Sequence, residues 1–186
     1  MSKLISENIE NHLELLISHK EIITHKVIVI SKHIEDALKA GNKVLLCGNG
    51  GSAADAQHIA AEFTGRFVKE RAALAALALT TDTSALTAIG NDYGYESIFE
   101  RQIQALGKAG DILVGISTSG NSLNVVRALE MGKKLGCTTV SLTGNKGGKL
   151  ADISDINLNI SSNVTARIQE LHILIGHLLC TLVDEL

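Results

Sequence analysis

Apolar positions recur at helical spacing along the first forty residues: Ile5, Ile9, Leu13 and Leu16, then Ile22, Val27, Ile30, Ile34 and Leu38. The pattern predicts two helices, over residues 3–18 and 20–40, stopped by Gly41 and Asn42. The pattern then changes to short apolar runs at residues 43–47, 74–79, 111–116, 138–142 and 156–160, which read as strands. Helical stretches separate them, over residues 52–64, 84–88, 95–106 and 123–135, with a short helix after Gly148 and a long one over 165–185. Gly90, Asn91, Asp92, Tyr93 and Gly94 read as the break between the second and third of these stretches. Strands alternating with helices imply parallel pairing by right-handed crossovers, hence an α/β, doubly wound, five-stranded parallel sheet. The expectation is one domain over residues 1–186, with 1–40 as a helical extension and 41–186 as the α/β core. Two helices ahead of the first strand cannot both cover a sheet whose own helices are still to come. They are expected to pack partly on another subunit.

A sheet of this kind binds ligands beyond the carboxyl ends of its strands, where strand order reverses. Two strand-to-helix loops fall at that edge. The first, Gly48, Asn49, Gly50, Gly51 and Ser52, opens an alanine-rich helix, whose free N–H groups and dipole suit an anion. It formally fits G-x-G-x-x-[GA], but Glu70 precedes the second strand and Asp82 comes later than a dinucleotide fingerprint expects. The second loop, Ser117, Thr118, Ser119, Gly120, Asn121 and Ser122, places four hydroxyls at a helix start. One N-cap serine explains one hydroxyl; four favour a phosphate monoester. A P-loop nucleotide site is excluded, because no G-x-x-x-x-G-K-[ST] occurs.

Composition narrows the class. The 186 residues are 45% apolar and 20% charged with a net charge of −3, a globular balance that argues against nonspecific nucleic-acid or membrane binding. No run of 18 uncharged apolar residues is present, and the acidic N-terminus is not a signal peptide, so a cytoplasmic location is expected. Cys47, Cys137 and Cys180 lie far apart in apolar surroundings and read as buried, reduced thiols. Proline and tryptophan are absent, so long helices can run unbroken.

His58 and Glu62 stand four residues apart, on one face of the glycine-loop helix. By themselves they read sooner as an ordinary, partly buried polar pair on an amphipathic helix. Gln169, Ile173 and His177 run along one side of the terminal helix. Together His58, Glu62, Gln169 and His177 provide nitrogen and oxygen donors of the kind zinc or a similar divalent ion accepts. His12, His19, His25, His33 and His172 show no such pattern and read as surface or interface residues.

With those residues in hand, the chain resembles the phosphoheptose isomerases of the sugar-isomerase (SIS) domain superfamily. The resemblance rests on CGNGGS at 47–52, DAQHIAAEFTGR at 55–66, GND at 90–92, GISTSGNS at 115–122, LTG at 142–144 and RIQELH at 167–172, and it spans essentially the whole chain. It implies a flavodoxin-like SIS fold and a cytoplasmic homotetramer interconverting sedoheptulose 7-phosphate and glycero-manno-heptose 7-phosphate, toward lipopolysaccharide or capsule heptose. It also implies that Ser117, Thr118, Ser119 and Ser122 hold the phosphate, and that Asn49, Gly50, Gly51, Ser52, Asn91 and Asp92 face the sugar. His58, Glu62, Gln169 and His177 would bind one zinc per subunit, and Glu62 with His177 would move the protons. Ala166 departs from the family, many of whose members carry Asp there. Residues 52–63 also resemble a non-enzymatic branch, the replication-initiator-associating protein, which typically lacks the histidine found here at His177.

Overall fold

The computed structural model describes residues 1–185. Helix α1 runs without interruption from Ser2 to Lys39, where the sequence pattern suggests two helices. Residues 1–40 hold no glycine or proline to break it, so backbone hydrogen bonding carries the helix through Lys20 despite the shift in apolar register. At 1.5 Å per residue it is about 57 Å long, and only its C-terminal half carries fully buried residues, the N-terminal half being tied by polar contacts of Asn8 and His12 to α7. Ile23, Val27, Ile30, Ile34 and Ala37 form its buried stripe, while Leu4, Ile5, Ile9, Leu13 and Ile17 are exposed.

The chain continues through β1 (Val44–Gly48), α2 (Gly51–Thr64), β2 (Ala76–Ala78) and α3 (Thr83–Tyr93). A 3₁₀ turn (Tyr95–Ser97) follows, then α4 (Ile98–Leu106), β3 (Ile112–Ser117), α5 (Leu123–Lys134), β4 (Thr138–Gly144), α6 (Gly148–Ile153), β5 (Ile156–Ile160) and α7 (Thr165–Val183). Helix α3 corrects the sequence reading, for it includes Gly90, Asn91 and Asp92, and the break falls at Gly94, whose φ is 88°. Asp82 starts α3 by accepting the Ala85 N–H at 2.9 Å.

All strand pairs are parallel, in the order β2-β1-β3-β4-β5. Residues of β1 and β3 are buried on both faces and alternate between two cores. Val44, Leu46, Ile112, Val114 and Ile116 join α1, α2 and α7 on one side. Leu45, Cys47 and Leu113 join α4 and α5 on the other. Helix α7 is long and apolar enough to cross a membrane, with a mean hydropathy of 1.2. Here Ile168, Leu171, Ile175 and Leu179 are buried against α1, α2 and the sheet, so it serves as a core helix.

Strand order reverses between β1 and β3, and the register pairs Gly48 with Ile116. The loops after these two strands therefore leave the sheet side by side. The fold thus delivers the glycine loop and the hydroxyl loop to one place.

Candidate active site

The glycine loop is shaped by close approach. A Cβ on Gly48 would lie 2.7 Å from the Ser52 carbonyl oxygen, and Gly50 has φ 56°, so α2 can begin directly at Gly51. A Cβ on Gly51 would stand 2.6 Å from Gln169 Nε2, which places the α7 glutamine against this loop. In the hydroxyl loop, Ser117 Oγ meets Ser122 Oγ at 2.9 Å and Ser119 Oγ at 3.4 Å, and Ser119 Oγ accepts the Asn121 N–H at 3.1 Å. Gly120 (φ 67°) packs so tightly on the next crossover that a Cβ would fall 1.9 Å from the Gly147 carbonyl oxygen. Asn145 Nδ2 donates to Thr118 O at 3.1 Å, and the Lys149 N–H donates to Asn121 Oδ1 at 2.9 Å. The loop is therefore held from outside and is not left to its own hydrogen bonds.

Between the loops lies a small polar cavity of about 100 Å³, lined by Asn49, Ser52, Ile116, Ser117, Thr118, Ser122 and Gln169. That is roughly three water volumes, room for a phosphate group but not for a whole sugar phosphate. Its lining holds hydroxyls and amides and no cationic side chain, and α2 and α5 both begin beside it. Neutral donors with helix N-termini are a recognised way to hold a phosphate.

About two turns along α2, His58 Nε2 lies 3.2 Å from Glu62 Oε1. The His177 ring meets the His58 ring edge-on, with centroids 5.0 Å apart, and stacks on Phe67 at 5.4 Å. Helices α2 and α7 run parallel, for Gly51 faces Gln169 at one end while a Cβ on Gly176 would strike Ile59 at 2.5 Å further along. The structure thus sets Glu62 and His177 on either side of His58 and places Gln169 at the cavity end of α7. Among the described residues, no three His, Cys, Asp or Glu side chains are gathered into a ready-made metal cage. His58 instead links its two neighbours.

Asn91 and Asp92 are not brought to the cavity; both are exposed, and Asn91 Nδ2 donates to Asp92 Oδ1 at 2.8 Å. Two residues the pattern leaves unmarked are brought against Asn49, on the cavity wall, instead. Asn124, on α5, exchanges hydrogen bonds with Asn49, and Tyr95 donates its hydroxyl to Asn49 Oδ1 at 3.0 Å. No periodicity marks either, because Tyr95 lies in the β2-to-β3 connection and Asn124 follows β3, and only the pairing of β1 with β3 sets them against the loop after β1. Asp55 is a third residue the pattern leaves unmarked. Its Oδ2 is buried without a hydrogen-bond partner, and burial raises its carboxyl pKa while the neighbouring His58 opposes the rise.

His172 corrects the reading of the remaining histidines, since it is wholly buried and its Nε2 donates to Thr143 O at 3.0 Å. Helical spacing from Gln169 turns it inward beneath the end of β4. Burial lowers its pKa from 6.5 to about 4, with the Thr143 bond opposing. Between those values the unfolded chain takes up a proton that the folded chain refuses, so stability falls as pH drops from 6.5 toward 4. The expected loss is about 3 kcal/mol, at roughly 1.4 kcal/mol per pKa unit. Denaturant melts at pH 7 and pH 4.5 check this: His172→Gln should show a flatter pH dependence than the parent, and equal slopes would exclude His172 as the cause.

Comparison with known proteins gives one consistent result. Residues 9–144 match the SIS domain family. The phosphoheptose isomerase of Aliarcobacter butzleri is 56% identical over 176 residues, covering 91% of this chain and 93% of that one. The solved phosphoheptose isomerase of Neisseria gonorrhoeae superposes with a TM-score of 0.94 at 45% identity, over 100% of this chain and 99% of that one. That of Francisella tularensis superposes with a TM-score of 0.96 at 38% identity, over 99% and 98%.

Proposed function

This chain belongs to the phosphoheptose isomerase family of SIS-domain proteins, and from that premise we propose that it interconverts sedoheptulose 7-phosphate and glycero-manno-heptose 7-phosphate. The observation that carries the reading is the juxtaposition, on the packed helices α2 and α7, of a phosphate-sized hydroxyl cavity with a His58–Glu62–His177 cluster. Ketose–aldose isomerisation moves a proton between C1 and C2 through an enediol, so it needs a base for the carbon-bound proton and an acid near the carbonyl oxygen. Glu62 is the base in this proposal, and His177, steadied between the Phe67 face and the His58 edge, is the acid.

His58, Glu62, Gln169 and His177 are the residues that would hold a zinc ion, one per subunit. The adjacent imidazoles and carboxylate suit such an ion as donors. When bound, it would polarise the substrate carbonyl as a Lewis acid. The chain's own residues would anchor the phosphate through Ser117, Thr118, Ser119 and Ser122, and approach the sugar through Asn49, Gly50, Gly51 and Ser52. Asn91 and Asp92 do not line this cavity, and their exposed side chains would contact the sugar outside it.

A homotetramer belongs to the same proposal. The exposed stripe of Leu4, Ile5, Ile9 and Leu13 on α1 borders an open groove of about 500 Å³ whose other wall is Arg167 and Glu170. Burying such a stripe against another copy is favourable, and light scattering tests it. A cytoplasmic location goes with the reading, supported by three free, buried cysteines. Heptose for lipopolysaccharide or capsule would be its metabolic end. The protein-binding alternative, the replication-initiator-associating branch, is disfavoured by identities of 50% and above to phosphoheptose isomerases.

The deciding experiment incubates purified protein with sedoheptulose 7-phosphate, with and without added zinc, and assays the aldose phosphate. No product under either condition overturns the proposal. Ser119→Ala is expected to raise KM by at least about tenfold with kcat within twofold, as one hydrogen bond to a charged ligand is lost. A fall in kcat alone would remove Ser119 from phosphate binding.

A further inference from the structure

The cavity wall at Asn49 is fixed by a relay of directed hydrogen bonds. The Val125 N–H donates to Asn124 Oδ1 at 2.9 Å, which settles which end of that carboxamide is oxygen. Asn124 Oδ1 also accepts from Asn49 Nδ2 at 2.9 Å, and Asn124 Nδ2 donates to Asn49 Oδ1 at 2.8 Å. The orientation of Asn49 follows from that pairing. Its oxygen, already accepting from Asn124, takes the Tyr95 hydroxyl as second donor at 3.0 Å. Asn49 thereby has its acceptor capacity filled and keeps one unused Nδ2 hydrogen. Tyr95 has its donor committed and keeps the lone pairs of its oxygen.

Asn124 is 4% exposed and its role is internal; Tyr95 is 64% exposed, so packing does not account for its placement. Gly94, at φ 88°, turns the chain out of α3 immediately before it. Gln169 reaches the glycine loop at Gly51, from the α7 side of the sheet, whereas Tyr95 reaches it at Asn49, from the α4 side. The phosphate end of the cavity is built from serine and threonine hydroxyls, and Tyr95 stands outside that lining, bonded to Asn49 on its wall.

We infer that Tyr95 is a substrate-contacting residue that sets specificity for the polyol part of the sugar phosphate. Its oxygen accepts from one sugar hydroxyl while the free Asn49 Nδ2 hydrogen donates to a neighbouring one. An adjacent donor and acceptor match a vicinal diol, in which each hydroxyl can play either part. Asn124 is the positioning residue that keeps this polarity. The inference rests on the sugar-phosphate reading above and adds a contact outside the phosphate and proton-transfer groups.

The test is calorimetric titration of the parent and Tyr95→Phe with sedoheptulose 7-phosphate and, separately, with inorganic phosphate, alongside steady-state kinetics. Loss of one neutral hydrogen bond is expected to weaken sugar phosphate binding about fivefold. Inorganic phosphate affinity should stay within twofold, and KM should rise while kcat holds. Sugar phosphate affinity unchanged in Tyr95→Phe overturns the inference, and so does a parallel weakening of both ligands, which would make Tyr95 a support for the cavity. Should the parent bind both ligands yet form no aldose, the isomerase reading fails while the Tyr95 comparison still stands. Parent protein that binds neither ligand overturns both.

Discussion

Glu62→Gln is expected to lower kcat about a thousandfold while leaving the fold and sugar phosphate affinity nearly intact. General base catalysis contributes 10²–10⁴-fold, and a factor of 10³ corresponds to about 4 kcal/mol in the barrier. The amide keeps the shape of the side chain and can still hydrogen-bond His58, now 3.2 Å from Glu62 Oε1, but it cannot accept a carbon-bound proton. The backbone at this position is held independently, since Arg71 Nη2 donates to the Glu62 carbonyl at 2.8 Å. A thermal melt within about 2 °C of the parent would show that the fold is preserved. Retention of more than a tenth of kcat would remove Glu62 as the base and send the search to His58 or Asp55.

Asp184→Ala is expected to cost about 3–5 kcal/mol of stability, the range for removing one partner of a buried ion pair. Asp184 and Arg71 are 3% and 9% exposed in their side chains and lie 2.8 Å apart. Asp184 Oδ2 also accepts the Val68 and Lys69 N–H groups at 2.7 and 2.9 Å, so alanine would orphan three donors at once. At roughly 2–4 °C per kcal/mol for a chain of this size, the melting temperature should fall by about 10 °C. Asp184→Asn, which keeps an acceptor oxygen, should cost less. A shift under 2 °C for the alanine variant would mean that water replaces the carboxylate without penalty. The clasp also carries Phe67, whose ring stacks on His177, so a drop in kcat should accompany the loss of stability.

The α/β class and the parallel sheet were legible because strands buried on both faces read as short apolar runs between amphipathic helices. The unbroken α1 was not, since the apolar stripe changes register near Lys20 and periodicity cannot tell a register shift from a helix end. The stop at Gly94, rather than across residues 90–94, was equally hidden. Asn91 and Asp92 look like turn residues, yet the helix continues through them because its remaining hydrogen bonds are still made.

By itself, the sequence determined the chemistry available to this protein: the glycine loop, the four hydroxyls, and the donors His58, Glu62, Gln169 and His177. Their motifs, taken together, were also specific enough to identify the family. Only the tertiary structure decided which groups meet. The register between β1 and β3 sets the two loops side by side, and parallel packing of α2 on α7 joins His58 to His177 across more than a hundred residues. It also buried His172, left Asn91 and Asp92 outside the cavity, and brought in Tyr95 and Asn124. The physical reason is the same in each case. A side chain's local period says which way it points from its own helix or strand, but its partners are chosen by the crossover connections that close the sheet.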